Sequence, residues 1–382
     1  MKQSIYVDHA ATSPVHPAVA EQMIVTMTSI FGNPSSIHSF GRKSRQVIDA
    51  ARATIAGSIG AKESEIIFTS GGTEADNLAI LGIAMTNKDK GKHIITTEIE
   101  HHAVLHTCRY LERIGFEVTY LPVNENGVIN TQDFQNALKE DTILATIMLG
   151  NNEVGSVQPL IEIAEMIENH QAYLHTDAVQ AFGAIPIDVN VVKVDSLSIS
   201  GHKINGPKGI GFLYVREGTR ISSVTFGGEQ ERKRRAGTEN VPAIVGLMHA
   251  SQISQLEMES RSNQYDQYKQ IFFKTFSEND IEYSVNGNPN RCLPHILNIH
   301  FPGINVESFL ANLDIAGIAA SSGSACTAGS IEPSHVLCAM YGSQSDRSKS
   351  SIRYSFGLGN THEQIQTVAM ETVKIVQRIT RR

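Results

Sequence analysis

The chain has 382 residues, 41% hydrophobic and 19% charged, the balance of an ordinary globular protein and too long for one small core. Its formal net charge of −7 argues against broad non-specific nucleic-acid binding as the main task. No run approaches eighteen apolar residues, and the opening "MKQSIYVDHAATSP" lacks a signal-peptide core, so neither a membrane span nor secretion is expected.

Short β-rich runs come first in chain order: "EIIFTS" (65–70), "KHIITT" (92–97), "FEVTYL" (116–121), "TILATIMLG" (142–150), "AYLHTD" (172–177), "VDSLSIS" (194–200) and "GIGFLYV" (209–215). Amphipathic stretches such as Glu74 to Met85 and His101 to Ile114 lie between them. Strand–helix alternation of this kind predicts an α/β fold, with a mostly parallel seven-stranded sheet between helices. From about residue 256 the pattern changes to a long polar helix, a few short strands and a terminal helix. Residues 15–255 are therefore expected to form a large domain, and 1–14 with 256–382 a smaller α+β domain. For the last helix Asn360 is the expected cap, with Glu363 three residues on and Ile365, Val368, Thr372, Ile375 and Ile379 on one face. The four cysteines, Cys108, Cys292, Cys326 and Cys338, are widely spaced without a Cys-x-x-Cys pair, which suits a reducing cytoplasm better than a disulfide framework.

In open α/β sheets ligands bind beyond the carboxyl ends of the strands, and four of those exits are chemically loaded. "FTSGGTEADN" runs a strand into Gly71-Gly72-Thr73 and then a helix, a natural anion cradle. The competing reading is a plain turn capped by Thr73. "TTEIEHHAVLH" opens a helix with His101 and His102, and without a His-Glu-x-x-His pattern it suits an acid/base or stacking histidine better than a metal. In "YLHTDAVQAFG", Asp177 ends a strand and Gln180 follows. Such an aspartate is commonly a helix cap, yet it is also the group that pairs with a protonated ring nitrogen. In "LSISGHKINGPKG", Lys203 sits among Ser200, His202 and Gly206, where an amine can fold back and form a Schiff base. An aldehyde-reactive lysine, a carboxylate and a phosphate cup together propose pyridoxal 5′-phosphate (PLP) as cofactor.

With these segments in place, the chain resembles the cysteine desulfurases of the NifS/IscS-like group, within the fold-type I PLP enzymes. The resemblance runs nearly end to end, through "YVDHAATSPVHP" (6–17), "FGNPSSIHSFG" (31–41), "SGGTEADN" (70–77), "EHHAVL" (100–105), "NNEVGSVQP" (151–159), "HTDAVQAFG" (175–183), "SGHKINGPKG" (200–209), "RAGTEN" (235–240), "SSGSAC" (321–326) and "IRYSFG" (352–357). It implies that Lys203 holds PLP, Asp177 pairs with the ring nitrogen, His101 stacks on the ring and Gln180 bonds the phenolic oxygen. It further implies a phosphate site of Gly72, Thr73, Ser200 and His202, completed by Thr238 of a second subunit, and hence a homodimer. Asn152 and Arg353 would hold the substrate carboxylate, and no metal is expected.

The implied activity converts L-cysteine to L-alanine and leaves a persulfide on Cys326. A sulfur-acceptor protein for Fe–S assembly or tRNA thiolation would follow. His101 or the substrate amine would take the Cys326 proton. Small residues around Cys326 predict a hinge-like segment. The runner-up is another fold-type I PLP enzyme, a selenocysteine lyase or a small aminotransferase. The chain departs from the group's pattern in "GGEQERKRRAGTEN" (227–240), where Glu229 replaces a common glycine and Arg232, Lys233, Arg234 and Arg235 form a basic run. That run reads either as a solvated face or as a docking surface for an acidic partner or tRNA. Leu358 stands where an arginine is frequent.

Overall fold

The structure is a computed structural model that describes residues 4–288, 290–323 and 333–380. Its strands are β1 (Ile5–Tyr6), β2 (Ile66–Thr69), β3 (His93–Thr97), β4 (Glu117–Leu121), β5 (Thr142–Thr146) and β6 (Tyr173–Asp177). They continue as β7 (Ser196–Ser200), β8 (Gly211–Val215), β9 (Ser284–Val285), β10 (Ile296–His300), β11 (Ile318–Ala319) and β12 (Ser351–Ser355). The helices begin with α1 (Pro17–Ser29), α2 (Ser39–Gly57), α3 (Gly72–Asn87), α4 (His102–Arg113), α5 (Thr131–Ala137) and α6 (Leu160–Met166). They end with α7 (Val189–Val192), α8 (Val241–Glu278), α9 (Val306–Ile315), α10 (His335–Tyr341) and α11 (His362–Thr380).

The seven-stranded sheet has the order β2-β8-β7-β6-β5-β3-β4, with only β8 antiparallel to its neighbours. Side chains alternate across it with period two. Ile66 and Phe68 face one core with Phe212 and Tyr214, while Ile67 faces the other with Leu213 and Val215. Both faces are covered, which explains why the strands read as continuous apolar runs. The regular part of β5 ends at Thr146, earlier than the run 142–150 suggested. Ile147 and Leu149 still donate to His175 and Asp177 (3.1 and 2.9 Å), so the chain leaves the sheet gradually and turns under its carboxyl edge.

A second core lies around the antiparallel sheet β12-β10-β9, the pair β1-β11, and helices α9 and α11. Helix α8 is 38 residues long and serves both cores: Ile244 and Leu247 join the first, Phe272 and Phe276 the second. Residue 256 therefore falls inside a helix. The terminal helix presents its expected face, with Ile365, Val368 and Thr372 fully buried. Its cap differs from the expected one by a residue. Thr361 Oγ1 accepts from Gln364 N–H (3.2 Å) and Gln364 Oε1 accepts from Thr361 N–H (3.3 Å), a reciprocal capping pair. Asn360 instead ties the N-terminal strand down, donating to the Tyr6 carbonyl and accepting from Gly357 N–H (both 2.9 Å).

Candidate active site

Six parallel strands end at one edge of the sheet, five of them in the polar residues Thr69, Thr97, Thr146, Asp177 and Ser200. A cleft of about 590 Å³ opens there, within the range of small-ligand sites. Strand β8 starts at the same edge, and Gly211 is required: a side chain there would collide with the Ile199 carbonyl and the Gly71 backbone.

Lys203 ends a tight helical turn immediately after β7. Its Nζ donates to the carbonyls of Ala10 and Ala11 at 2.5 and 2.8 Å. The N-terminal arm reaches the lysine because Ser13 docks on the same loop, donating through its N–H to the His202 carbonyl (2.9 Å) and accepting from Asn205 N–H (2.9 Å). His202 contacts Thr12 Oγ1 at 3.0 Å through Nδ1, and burial together with the neighbouring lysines lowers its pKa to about 4.

Two carboxylates share the floor. Asp177 Oδ1 accepts from Val179 N–H at 2.9 Å, but burial dominates and raises the Asp177 pKa to about 6, against the pull of that N–H and of Lys203. Asp76, fully buried on α3, is pushed up further by burial and then by the Asp177 charge, so the pair holds a proton readily. His175 stands 3.7 Å from Asp76, kept neutral by burial, and is fixed between Thr146 and Ser198 at 2.8 and 3.0 Å.

His101 caps α4 with Nδ1, which accepts from Ala103 N–H at 3.1 Å. Burial, then Lys203, lowers its pKa to about 4, so the ring is neutral with its hydrogen on Nε2. Donor atoms of Asp76, His101 and Asp177 lie within 4.8 Å of one another, the spacing of a metal site. With Nδ1 engaged and Nε2 carrying hydrogen, however, His101 offers a donor there in place of a lone pair.

The cleft's other end is an anion cradle. Gly71 has φ +151°, and a Cβ on Gly72 would meet Val179 at 2.8 Å. Helix α3 starts at Gly72, so its first unpaired N–H groups belong to the cradle, beside Thr73 and Ser200. Glu74 is tied down close by. Burial alone would raise its pKa, but Arg235 (2.6 and 3.1 Å) and Ser70 outweigh burial and lower it.

Arg353 lies at the opposite wall, 1% exposed. It donates to the Asn152 carbonyl (2.8 Å) and to Asp8 Oδ1 (2.8 Å), while its buried Nε has no hydrogen-bond partner among the described residues. Asn152 lines the cleft, as does Gln180, which donates to the Ala10 carbonyl (2.9 Å) and contacts His295 (3.2 Å). Thus Lys203, His101, Gly72, Thr73, Asn152, Asp177, Gln180, Ser200, His202 and Arg353 all line one cleft. Thr238 is exposed and does not line it. Cys326, with the rest of 324–332, lies outside the described residues; Gly323 before it is in the cleft wall.

Residues 5–368 match the aminotransferase class-V family. A protein named IscS 1 from Bacillus subtilis (strain 168) is 60% identical over 378 residues, covering 99% of this chain and all of the relative. The cysteine desulfurase IscS of Methanosarcina thermophila is 48% identical over 99% of this chain and 93% of its own. The chain belongs to the cysteine desulfurase family. Solved structures agree: a NifS-like protein superposes with a TM-score of 0.92 at 34% identity, covering 98% of this chain and all of that one. SspA, solved in complex with cysteine, gives 0.81 at 38% identity over 92% and 99% of the two chains.

Cysteine desulfurases and class-V aminotransferases are PLP-dependent in general, and this desulfurase's donor set fits that group. A glycine cradle at a helix N-terminus suits a phosphate. A carboxylate pair whose Asp76 Oδ1 has no hydrogen bond among the described residues suits a ring cation, and a lysine amine suits an aldehyde. Sequence reasoning did not single out Asp76, Asp8, Met148 or the Ala10–Ala11 carbonyls. Asp76 sits one turn into α3 in an otherwise helical pattern, and the N-terminal arm reaches the site only by folding back some 190 residues along the chain.

Proposed function

We propose that the protein is a PLP-dependent cysteine desulfurase, converting L-cysteine to L-alanine and storing the sulfur as a persulfide on Cys326. The observation that carries this reading is the meeting of Lys203, Asp177 and the Gly71-Gly72-Thr73 cradle in one cleft of a chain of this family. Lys203 would hold the cofactor covalently and Asp177 would face its ring nitrogen. His101 would lie against the ring and Gln180 would bond the phenolic oxygen. Gly72, Thr73, Ser200 and His202 would take the phosphate, with Thr238 supplied by a second copy. When bound, PLP supplies an electron sink for charge developing on the substrate.

The protein's own groups do the rest. Arg353 and Asn152 bind and orient the substrate carboxylate. Lys203 Nζ is the amine available to move a proton at the substrate's Cα. The Cys326 thiolate attacks the substrate sulfur, the carbon–sulfur bond breaks, and its electron pair goes to carbon, which takes a proton to give alanine. With Nδ1 already accepting from Ala103 N–H at the α4 cap, the His101 ring has an N–H donor left to offer, which favours the substrate amine as the acceptor of the Cys326 proton.

A homodimer is supported by apolar side chains left outside the cores: Ile24, Met27, Phe31, Ile37 and Phe40, the Phe31 and Phe40 rings 5.3 Å apart. No described helix is long and apolar enough to cross a membrane, which is compatible with work in the cytoplasm. The sulfur acceptor would be a protein, an Fe–S scaffold or a tRNA-thiolating enzyme. Two of the four basic residues of the run are paired within the chain, Arg235 with Glu74 and Lys233 with Glu229, and the reading as a solvated face is kept over a docking site.

Cys326→Ser should abolish sulfide release from L-cysteine while keeping the cofactor's visible absorbance. Lys203→Ala should lose the borohydride-fixed cofactor. Full turnover in the first variant, or a keto acid in place of alanine from the native enzyme, refutes the reading.

A further inference from the structure

Gln180 stands in the wall between two spaces. On one side is the cleft of about 590 Å³. On the other is a smaller cavity of about 50 Å³, which Gln180 and Lys203 line together with His295. Gln180 is 7% exposed, so both ends of its amide need partners inside the protein.

Those partners fix which way the amide points. Its Nε2 donates to the Ala10 carbonyl (2.9 Å), and its Oε1 meets His295 Nε2 at 3.2 Å. The reverse orientation would set the amide oxygen against the Ala10 carbonyl oxygen, two acceptors facing one another. An amide oxygen only accepts, so His295 Nε2 carries the hydrogen and donates it. The ring is neutral: burial, and then the neighbouring Lys269, His9, Lys203 and Arg353, lower its pKa to about 3.

His295 is itself firmly mounted. Its carbonyl accepts from Phe356 N–H (2.9 Å), Leu293 N–H donates to the Gly155 carbonyl (2.7 Å), and β10 begins at the next residue, Ile296. Gln180 lies beyond the end of β6, so the contact joins the seven-stranded sheet to the three-stranded one. His295 does not itself line the cleft.

Building on the PLP-dependent reading, in which Gln180 faces the cofactor's phenolic oxygen, we propose that His295 is a positioning residue. It holds the Gln180 amide so that N–H, and not C=O, is presented to that oxygen. The amide nitrogen has two hydrogens; Ala10 takes one, and the other is left for the cleft. A donor at that point favours the phenolate over the neutral phenol, because a hydrogen bond to the charged form stabilises it. Without His295 the buried Oε1 loses its donor, and the cavity behind the wall gives the amide room to turn. A phenol O–H then offers the orphaned oxygen a new donor, which favours the neutral form.

The test uses the full-length enzyme loaded with PLP and reads its absorbance at one fixed pH without substrate. The phenolate and neutral phenol forms of lysine-bound PLP absorb in the visible and the near ultraviolet, so the ratio of the two bands reports their balance. His295→Leu, similar in bulk but without a donor, should lower the visible-to-ultraviolet ratio by roughly two- to tenfold, the effect of one hydrogen bond on an equilibrium. Borohydride should still fix the cofactor to Lys203. His295→Gln, which restores an N–H at similar reach, should bring the ratio back toward native. In a Gln180→Leu background the His295→Leu change should leave the ratio unaltered, because His295 acts only through the amide. A merely structural role would not depend on Gln180 in this way. A native ratio in His295→Leu overturns the proposal, as does a further shift in the Gln180→Leu background. A ratio as low in His295→Gln as in His295→Leu also overturns it. If His295→Leu does not fold, His295→Asn, whose side chain is too short to reach Gln180 Oε1, takes its place, and a native ratio there overturns the proposal. A visible band in the native protein with an unchanged ratio in the variants is failure of this proposal alone. No visible band in the loaded native protein refutes the cofactor reading and this proposal together.

Discussion

At the scale of single residues, the segment 231–233 is costly by itself. Glu231, Arg232 and Lys233 have φ values of 46°, 58° and 67°, three consecutive side chains in the left-handed region, each unfavourable by roughly 1–2 kcal/mol. Glu231 holds the turn: its buried carboxylate takes both Arg52 nitrogens at 2.7 Å and accepts from Phe68 N–H at 3.0 Å. Lys233 contributes only an exposed ion pair with Glu229, which is worth little. Lys233→Gly should therefore stabilise the protein by about 0.5–1 kcal/mol after the glycine's larger unfolded-state entropy is subtracted. A thermal midpoint that falls in this variant would show that Lys233 makes a contact beyond Glu229.

At the scale of elements, helix termini carry much of the site. His101 caps α4 and Gly72 opens α3. The terminal helix α11 shows the same chemistry away from the site, through the reciprocal Thr361–Gln364 pair. Thr361→Ala should cost about 1 kcal/mol and leave turnover unaltered, because α11 packs on the second core and lines no part of the cleft. Denaturant unfolding and steady-state alanine release measure the two sides of this prediction. A turnover defect would place α11 in contact with the catalytic segment.

At the scale of the whole molecule, burial of titratable groups sets the pH dependence of stability. Burial holds His9, His101 and His202 at about 4, and His175 and His295 at about 3, all below the ordinary histidine range. Between those values and 6.5 the unfolded chain binds protons that the folded chain does not, so these groups make stability rise with pH and contribute fully above 6.5. Asp177, raised to about 6, and Glu100, raised to about 8, act with the opposite sign, and stability falls as pH passes from their unfolded values to those folded ones. Asp76, which burial raises well above its ordinary value, acts in the same sense; the five histidines outnumber these three carboxyls below 6.5, and above it the carboxyls act without opposition from those histidines. The cofactor-free protein should therefore be most stable near pH 6.5, lose stability steeply toward pH 4 and decline gently toward pH 8. Denaturant midpoints across that range measure the curve. A maximum at pH 4–5 would mean that the carboxyls dominate.

The amino-acid sequence by itself determined the seven sheet strands, the mostly parallel α/β class and the positions of Lys203, Asp177, His101 and the glycine turn. Each of these is written locally, in an apolar run ended by polar or small residues, or in a short motif at a strand exit. Local signals fail where a role depends on segments far apart in the chain. Asn360 had the residue type and spacing of a cap, but a hydrogen bond to the Tyr6 carbonyl takes it elsewhere and Thr361 fills the position. Arg353 was expected to hold a substrate carboxylate, and only the folded chain shows Asp8 already paired with it, from 345 residues away. Gln180 was legible as a cofactor contact, but nothing near it in the chain pointed to His295. The tertiary structure alone decided that the His295 ring meets the Gln180 amide, because a contact across 115 residues belongs to the packed chain and not to any window of its sequence.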